Sequence, residues 1–223
     1  MRAELAAAAG PLAARITGHP FWDGLRRGTL PPAALWHFAE QDAHHVVPAY
    51  ARALAGCAAL AGSDAHGALL ASAGSATFGS LPRLDEELPK LAAALGTAAP
   101  GAAPARPAPA VHAYTSFMRA APARSFAAGV GALLPMTWFH LLVCEDLAER
   151  HDPNGRYAFW IARYLPEGDY LEHYVESFLT MIEEVAAESP PHERDDLLTC
   201  FHRAAAHEWN FAESAYNRES WPV

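Results

Sequence analysis

The sequence predicts an all-α fold, a bundle of about seven or eight helices, and three observations carry that expectation. Apolar residues recur at helical spacing along most of the chain, and strand-like alternation is almost absent. An uncharged stretch also runs from Ser125 to Cys144, between Arg124 and Glu145. In a globular protein, a helix that is apolar all round is a central helix of a large core. The stretch is long enough to span a membrane, which takes about 20 helical residues. Against that reading, Gly129, Gly131, Pro135, Thr137 and His140 interrupt it, and no second segment resembles it.

The elements follow in order. Residues 2–17 form a first helix that stops at Thr17-Gly18-His19-Pro20, because Gly and Pro after a periodic run end helices. Arg27-Gly28-Thr29-Leu30-Pro31-Pro32 reads as a helix start, with Thr29 as the cap and prolines tolerated in the first turn. The helix over 32–61 carries an apolar stripe through Leu35, Phe38, Val46, Ala49 and Leu54, and Asp42 and His45 fall on that stripe. Pro48 inside it removes a donor to the His44 carbonyl, so a kink is expected. Residues 64–95 read as another helix or a broken pair, interrupted near Gly74 and again at Gly79–Pro82, and the Ala/Pro-rich Thr97–Pro109 as a connection. A helix from Pro109 puts Val111 and Tyr114 on one face. The central helix follows Pro122, and Asp152-Pro153-Asn154-Gly155 is a turn. A short aromatic helix with Trp160, Ile161 and Tyr164 comes next, then an amphipathic helix over 169–188. A last helix over about 192–217 has a stripe through Leu197, Phe201, Ala205, Phe211 and Ala215, with Glu208 on it. The two sides of the Ala/Pro-rich connection share one helical character, so a single domain over 1–223 is expected.

Composition bounds the function. With 52% hydrophobic and 18% charged residues, 223 residues suffice for one sizeable core. A net charge of −9 and the absence of any basic run argue against nucleic acid as a partner, since that binding needs Lys and Arg to replace counterions. Cys57, Cys144 and Cys200 are odd in number and widely spaced, which suits reduced thiols in the cytoplasm and gives neither a disulfide framework nor a zinc site. The start, Met1-Arg2-Ala3-Glu4-Leu5, lacks the basic region of a signal peptide.

Asp42, His45, His140 and Glu208 are polar residues where periodicity predicts burial. A buried carboxylate must be paired, hydrogen-bonded or protonated. Kept partly dry, it has a raised pKa and exchanges a proton near neutrality. The plainer alternative is a structural pair, for example with Arg52. The spacings Glu40-x-x-x-His44 and Asp169-x-x-x-His173 allow chelation on one helix face, although such pairs are common on solvated faces. Cys144 lies two turns beyond Met136, roughly 12 Å along the axis, and does not stand in for a group at 136.

His19-Pro20-Phe21, Gly28-Thr29-Leu30-Pro31, Gln41-Asp42, Tyr114-Thr115, Leu134-Pro135-x-x-Trp138, Trp160-Ile161-x-x-Tyr164 and Glu208-x-x-Phe211 occur in the order seen in thiaminase II (TenA) proteins. The chain resembles that family from about residue 15 to residue 217. The resemblance implies a haem-oxygenase-like helical bundle, a homo-oligomer (dimer or tetramer), and a pocket for a small molecule. It implies no cofactor. It also implies that Glu208 handles protons and Asp42 binds the aminopyrimidine, with Tyr114, Tyr164 and Phe211 as ring-contacting aromatics.

Where the family's hydrolases carry the attacking cysteine, this chain has Met136, whose thioether has no proton to lose. His45 and His140 stand where the family often has tyrosines. A branch of the family lacks the cysteine and is still thought to hydrolyse aminopyrimidine derivatives. Fold relatives also include metal-dependent oxygenases, whose late His/Asp/His cluster Asp169 and His173 match only in part. The expectation is acid–base hydrolysis of a nitrogen-containing metabolite, with Glu208 and Asp42 catalytic and His45, Tyr114, Met136, His140, Tyr164 and Phe211 around the substrate. A non-catalytic pyrimidine-binding protein and a metal-dependent oxidase are the rivals.

Overall fold

The computed structural model describes residues 1–97 and 105–222. Its regular elements are helices: α1 (Arg2–Thr17), α2 (Pro20–Arg26), α3 (Pro32–Gln41), α4 (Val47–Ala58), α5 (Asp64–Leu95), α6 (Pro109–Ala120), α7 (Phe126–Arg150), α8 (Ala158–Tyr164), α9 (Tyr170–Glu188) and α10 (Pro191–Asn217). The all-helical expectation holds. More helices appear than expected because the stretch after Thr17 makes a short helix of its own and the second long helix divides in two.

The uncharged stretch is α7, and it forms the axis of the bundle. The Ser125 hydroxyl caps its start by accepting from the Ala128 N–H at 3.1 Å. Every residue from Ala127 to Pro135 is buried. Helices α9 and α10 cover its sides, so a helix apolar enough for a membrane span serves here as the core. Glycine makes the close packing possible. A Cβ at Gly131 would sit 2.4 Å from the Leu197 carbonyl of α10, and one at Gly129 would sit 2.6 Å from Cys57 Sγ of α4. Among the described residues a main core runs from Leu5 to Ala215, with a small separate cluster of Ala121, Ala128, Ala132 and Cys200 beside it.

Between α3 and α4 the chain makes a π-helical turn, Asp42–Val46, in which the Val47 N–H bonds to the Asp42 carbonyl. Pro48 supplies the reason: without its N–H, the His44 carbonyl has no ordinary helical donor and the turn widens. The kink therefore takes the form of an extra residue, placed where Asp42 must be aimed.

Two local expectations fail. Helix α5 runs unbroken through Gly74, Pro82 and Pro89. Both prolines are at least partly open to solvent, so the carbonyls they free reach water. Gly74 is a packing residue, since a Cβ there would lie 3.3 Å from the Ala51 carbonyl of α4. Thr29 is not a cap. Pro31 holds that position, and the Thr29 N–H bonds to the Gly24 carbonyl at 2.8 Å.

The sequence motifs have structural work. His19 Nδ1 accepts from the Phe21 N–H at 3.0 Å, which leaves Nε2–H to donate to Glu213 at 3.0 Å and joins α2 to α10. The Tyr157 hydroxyl donates to the Leu30 carbonyl. Gln41 fixes the connection before α6, donating to the Arg106 carbonyl at 3.1 Å and accepting from the Ala108 N–H at 2.8 Å. Part of that expected connection, 98–104, lies outside the described residues.

Candidate active site

A cavity of about 310 Å³ opens among the π turn, α7, α8, α9 and α10. Asp42 enters it from the π turn and Glu208 from α10, while Met136 and His140 line it from α7. Aromatic rings form much of the wall. Phe38 stacks on Phe211 with centroids 4.7 Å apart, and Trp160 stacks on Tyr164 at 4.6 Å. Tyr50 and Tyr174 close another side, their hydroxyls 3.4 Å apart.

Two carboxyl groups face the cavity. The Tyr114 hydroxyl donates to Glu208 Oε1. Among the described residues, neither Glu208 Oε2 nor the Asp42 carboxyl has a side-chain or backbone hydrogen-bond partner within the protein. Arg52, the candidate pair for Asp42, instead donates to the Pro48 carbonyl at 2.8 Å. Burial pushes Asp42 up to about 7, and the neighbouring Glu208 adds to the push. Burial also pushes Glu208 up to about 7, against the Tyr114 hydrogen bond, which lowers it. Two coupled carboxyls of this kind share protons as a pair, so near neutrality one member gives a proton while the other takes one.

The α7 side is chemically quiet. Burial lowers His140 to about 4, leaving it neutral, with Nδ1 3.1 Å from the Tyr164 hydroxyl. Cys144 lies behind His140, its Sγ 3.7 Å from Nε2, and burial raises the thiol to about 12. It does not line the cavity. Met136 does, and it offers no ionisable group at all.

Asp42, Glu208, Met136, His140, Tyr164 and Phe211 thus come together around one space. Two expected members do not join them. His45 is not in the cavity wall; its Nε2 reaches the Ala105 carbonyl at 2.7 Å, because the π turn rotates it toward the connection that Gln41 also holds. Tyr114 is fully buried behind Glu208, with its ring stacked on His207 at 5.3 Å, so it meets the carboxylate and not the cavity. Trp22, Phe38, Tyr50 and Tyr174 also line the wall, and helical spacing alone does not distinguish them from core residues. The one signal for Phe38 is its spacing, one helical turn before Asp42.

Neither chelating pair faces this cavity. His44 Nε2 lies 3.6 Å from Asp85, and His173 Nδ1 lies 3.4 Å from Asp169 on an exposed face. Among the described residues, no three His, Cys, Asp or Glu side chains gather as a metal-binding group.

Comparison with known proteins agrees with this architecture. The chain is 28% identical to the aminopyrimidine aminohydrolase of Bacillus subtilis (strain 168) over 204 residues, 91% of this chain and 84% of that protein. Its structure superposes on a TenA homologue from Pyrococcus furiosus with a TM-score of 0.81, at 18% identity, covering 97% of this chain and 100% of the other. A TenA homologue from P. horikoshii OT3 gives 0.75 at 23% identity, covering 96% and 97% of the two chains. The sequence profile described as the TENA/THI-4/PQQC family matches residues 6–218, and the chain belongs to that family.

Proposed function

We propose that the protein hydrolyses a C–N bond of an aminopyrimidine or related nitrogen heterocycle by acid–base chemistry, without a cysteine nucleophile. The observation that carries this reading is the pair of carboxyl groups, Asp42 and Glu208. Both lack protein partners on their cavity side, and both are raised to about 7 inside an aromatic-walled space. Such a space suits a flat ring that stacks on Phe211 and Tyr164. A protonated or ionised Asp42 matches the donor and acceptor atoms of an amidine-like edge. The 28% identity to a protein named aminopyrimidine aminohydrolase supports the same class of substrate, and we place the reaction in thiamin salvage or, if the chain is repurposed, in specialised metabolism.

In the reaction, Glu208 removes a proton from water as its oxygen forms the new C–O bond. The C–N bond breaks, and the proton passes from the carboxyl pair to the departing nitrogen, which leaves as the amine. Tyr114, donating to Oε1, fixes the orientation of Glu208 and leaves Oε2 for the water. Met136 supports a second reading, a receptor that binds the ring without turnover, because it removes the nucleophile from the space.

One substitution separates the two. Glu208→Gln keeps an acceptor for Tyr114 and loses the base. Assayed by chromatography on an aminopyrimidine panel, turnover is expected to fall about 10²–10³-fold while affinity stays within about threefold. Turnover unchanged in the variant overturns the acid–base role. Tight binding with no turnover in the parent selects the receptor.

A further inference from the structure

A second space of about 720 Å³ adjoins the inner cavity, between α5 and the segment from α8 into α9. The two share Phe38, Asp42, His140, Tyr164, Tyr170 and Leu171 as common walls. Glu208 and Met136 face only the inner space, whereas Asp42 stands at the junction. We propose that the outer space is a substrate subsite: the molecule whose nitrogen ring lies beside Glu208 carries a large, uncharged apolar substituent that passes Asp42 into it. This rests on the function proposed above and specifies its substrate class.

Three features of the outer space support that assignment. Its walls carry an apolar strip, Leu84, Leu88 and Leu91 on α5 together with Phe159 and Leu165 on the other side, bordered by charged side chains. Large aromatic side chains lie open around it, Phe159 at 38% and Tyr170 at 60% exposed, and can pack against an apolar group held there. Its two arginines and two glutamates, Arg83, Arg163, Glu87 and Glu167, carry opposite charges in equal number, and Arg163 is paired with Glu87 at 2.7 Å. Continuity with the inner cavity identifies the occupant as part of the same ligand. The inner cavity alone sits at the small end of ligand sites, which span about 300–1,000 Å³.

Calorimetric titration of the full chain with 4-aminopyrimidine and with 4-(phenethylamino)pyrimidine tests the assignment. The phenethyl compound is expected to bind about tenfold or more tightly than the bare ring, from burial of its phenyl group. Ala162→Trp, on the exposed face of α8, and Leu84→Trp, on α5, each fill the outer space. Both are expected to erase that advantage while leaving the affinity for 4-aminopyrimidine unchanged. Two variants on different helices guard against a folding defect in either, which circular dichroism detects. Equal affinity of the two probes in the parent overturns the subsite, as does an advantage that survives both variants. Sedimentation supplies a further check: if the tryptophans dissociate an oligomer and leave the probe ratio unaltered, a second copy of the chain covers this face, and the subsite is overturned. Failure of the function itself looks different. Affinity for 4-aminopyrimidine that is absent in the parent, or indifferent to Asp42→Asn, removes the function proposed above and the subsite with it.

Discussion

The two walls of the inner cavity respond to the same force in opposite ways. On the α7 wall, burial lowers His140 to about 4 and raises Cys144 to about 12, so both are neutral and inert around pH 7. On the facing wall, burial raises Asp42 and Glu208 to about 7, which brings them into the working range. Desolvation penalises whichever form is charged. A base that starts just below neutrality is driven out of range, and an acid that starts well below it is driven in. A dry cavity therefore favours carboxylate chemistry over imidazole or thiol chemistry, and Met136 in place of a nucleophile is consistent with that balance.

The contrast has a thermodynamic signature, and Glu208→Gln exposes it most strongly. A carboxyl whose pKa is raised on folding contributes stability that is fully present below its unfolded value of 4.5 and is lost as pH rises toward about 7. The amide that replaces it does not titrate. The variant is expected to match the parent near pH 4 and to exceed it by about 1–3 kcal/mol at pH 8, less than the full linkage value because the Glu208 side chain is only partly buried. His140 contributes the reverse slope, losing stability as pH falls from 6.5 toward about 4, but it is common to both proteins and cancels in the difference. Urea titrations at the two pH values measure this. A variant less stable than the parent at pH 8 means that Glu208 is paired in the native state, and the carboxylate wall is then structural.

Tyr114→Phe sharpens the same wall with a smaller effect. The tyrosine hydrogen bond lowers the pKa of Glu208, so its loss raises that pKa further. Less base is then available on the acid side. kcat/KM is expected to drop about tenfold near pH 6 and to recover toward pH 8 as Glu208 deprotonates. A loss of equal size at every pH would show that Tyr114 only supports packing.

Much of this arrangement is legible in the sequence, for a physical reason. Asp42, His140 and Glu208 announce themselves because a polar group on an apolar stripe is costly unless it has a task. Helix boundaries are legible where Gly or Pro meets the end of a periodic run, as at Thr17-Gly18-His19-Pro20. What periodicity does not encode is rotation about the helix axis after a defect. The π turn adds a residue to the winding, so His45, on the stripe of an ideal helix, turns to Ala105 instead of the cavity. Gly74 and Pro82 mislead in another way, because the same residues break an isolated helix and fit one packed against α4 or facing water. Tyr114 shows a further gap: the motif marks it as important, but whether it touches the ligand or the residue that does depends on packing depth.

The α7 wall supplies the smallest expected effect. Cys144 is a cysteine close to a histidine, with Sγ 3.7 Å from His140 Nε2, which superficially resembles an activated nucleophile. Activation requires an imidazole that accepts the thiol proton and a setting that favours the ion pair. Here His140 has its basicity reduced by burial, the neighbouring Glu145 disfavours a thiolate further, and the sulfur does not reach the cavity. The thiol is left as a small apolar filler that makes weak contacts to His140 and to the Tyr164 carbonyl at 3.8 Å. Cys144→Ala is therefore expected to cost about 1 kcal/mol of stability, the order of a small buried deletion. Turnover of an aminopyrimidine should change less than about twofold, since the lost contacts orient His140 only weakly. A drop beyond about tenfold with stability preserved would place the thiol in the reaction, and the α7 wall would then be the reactive one.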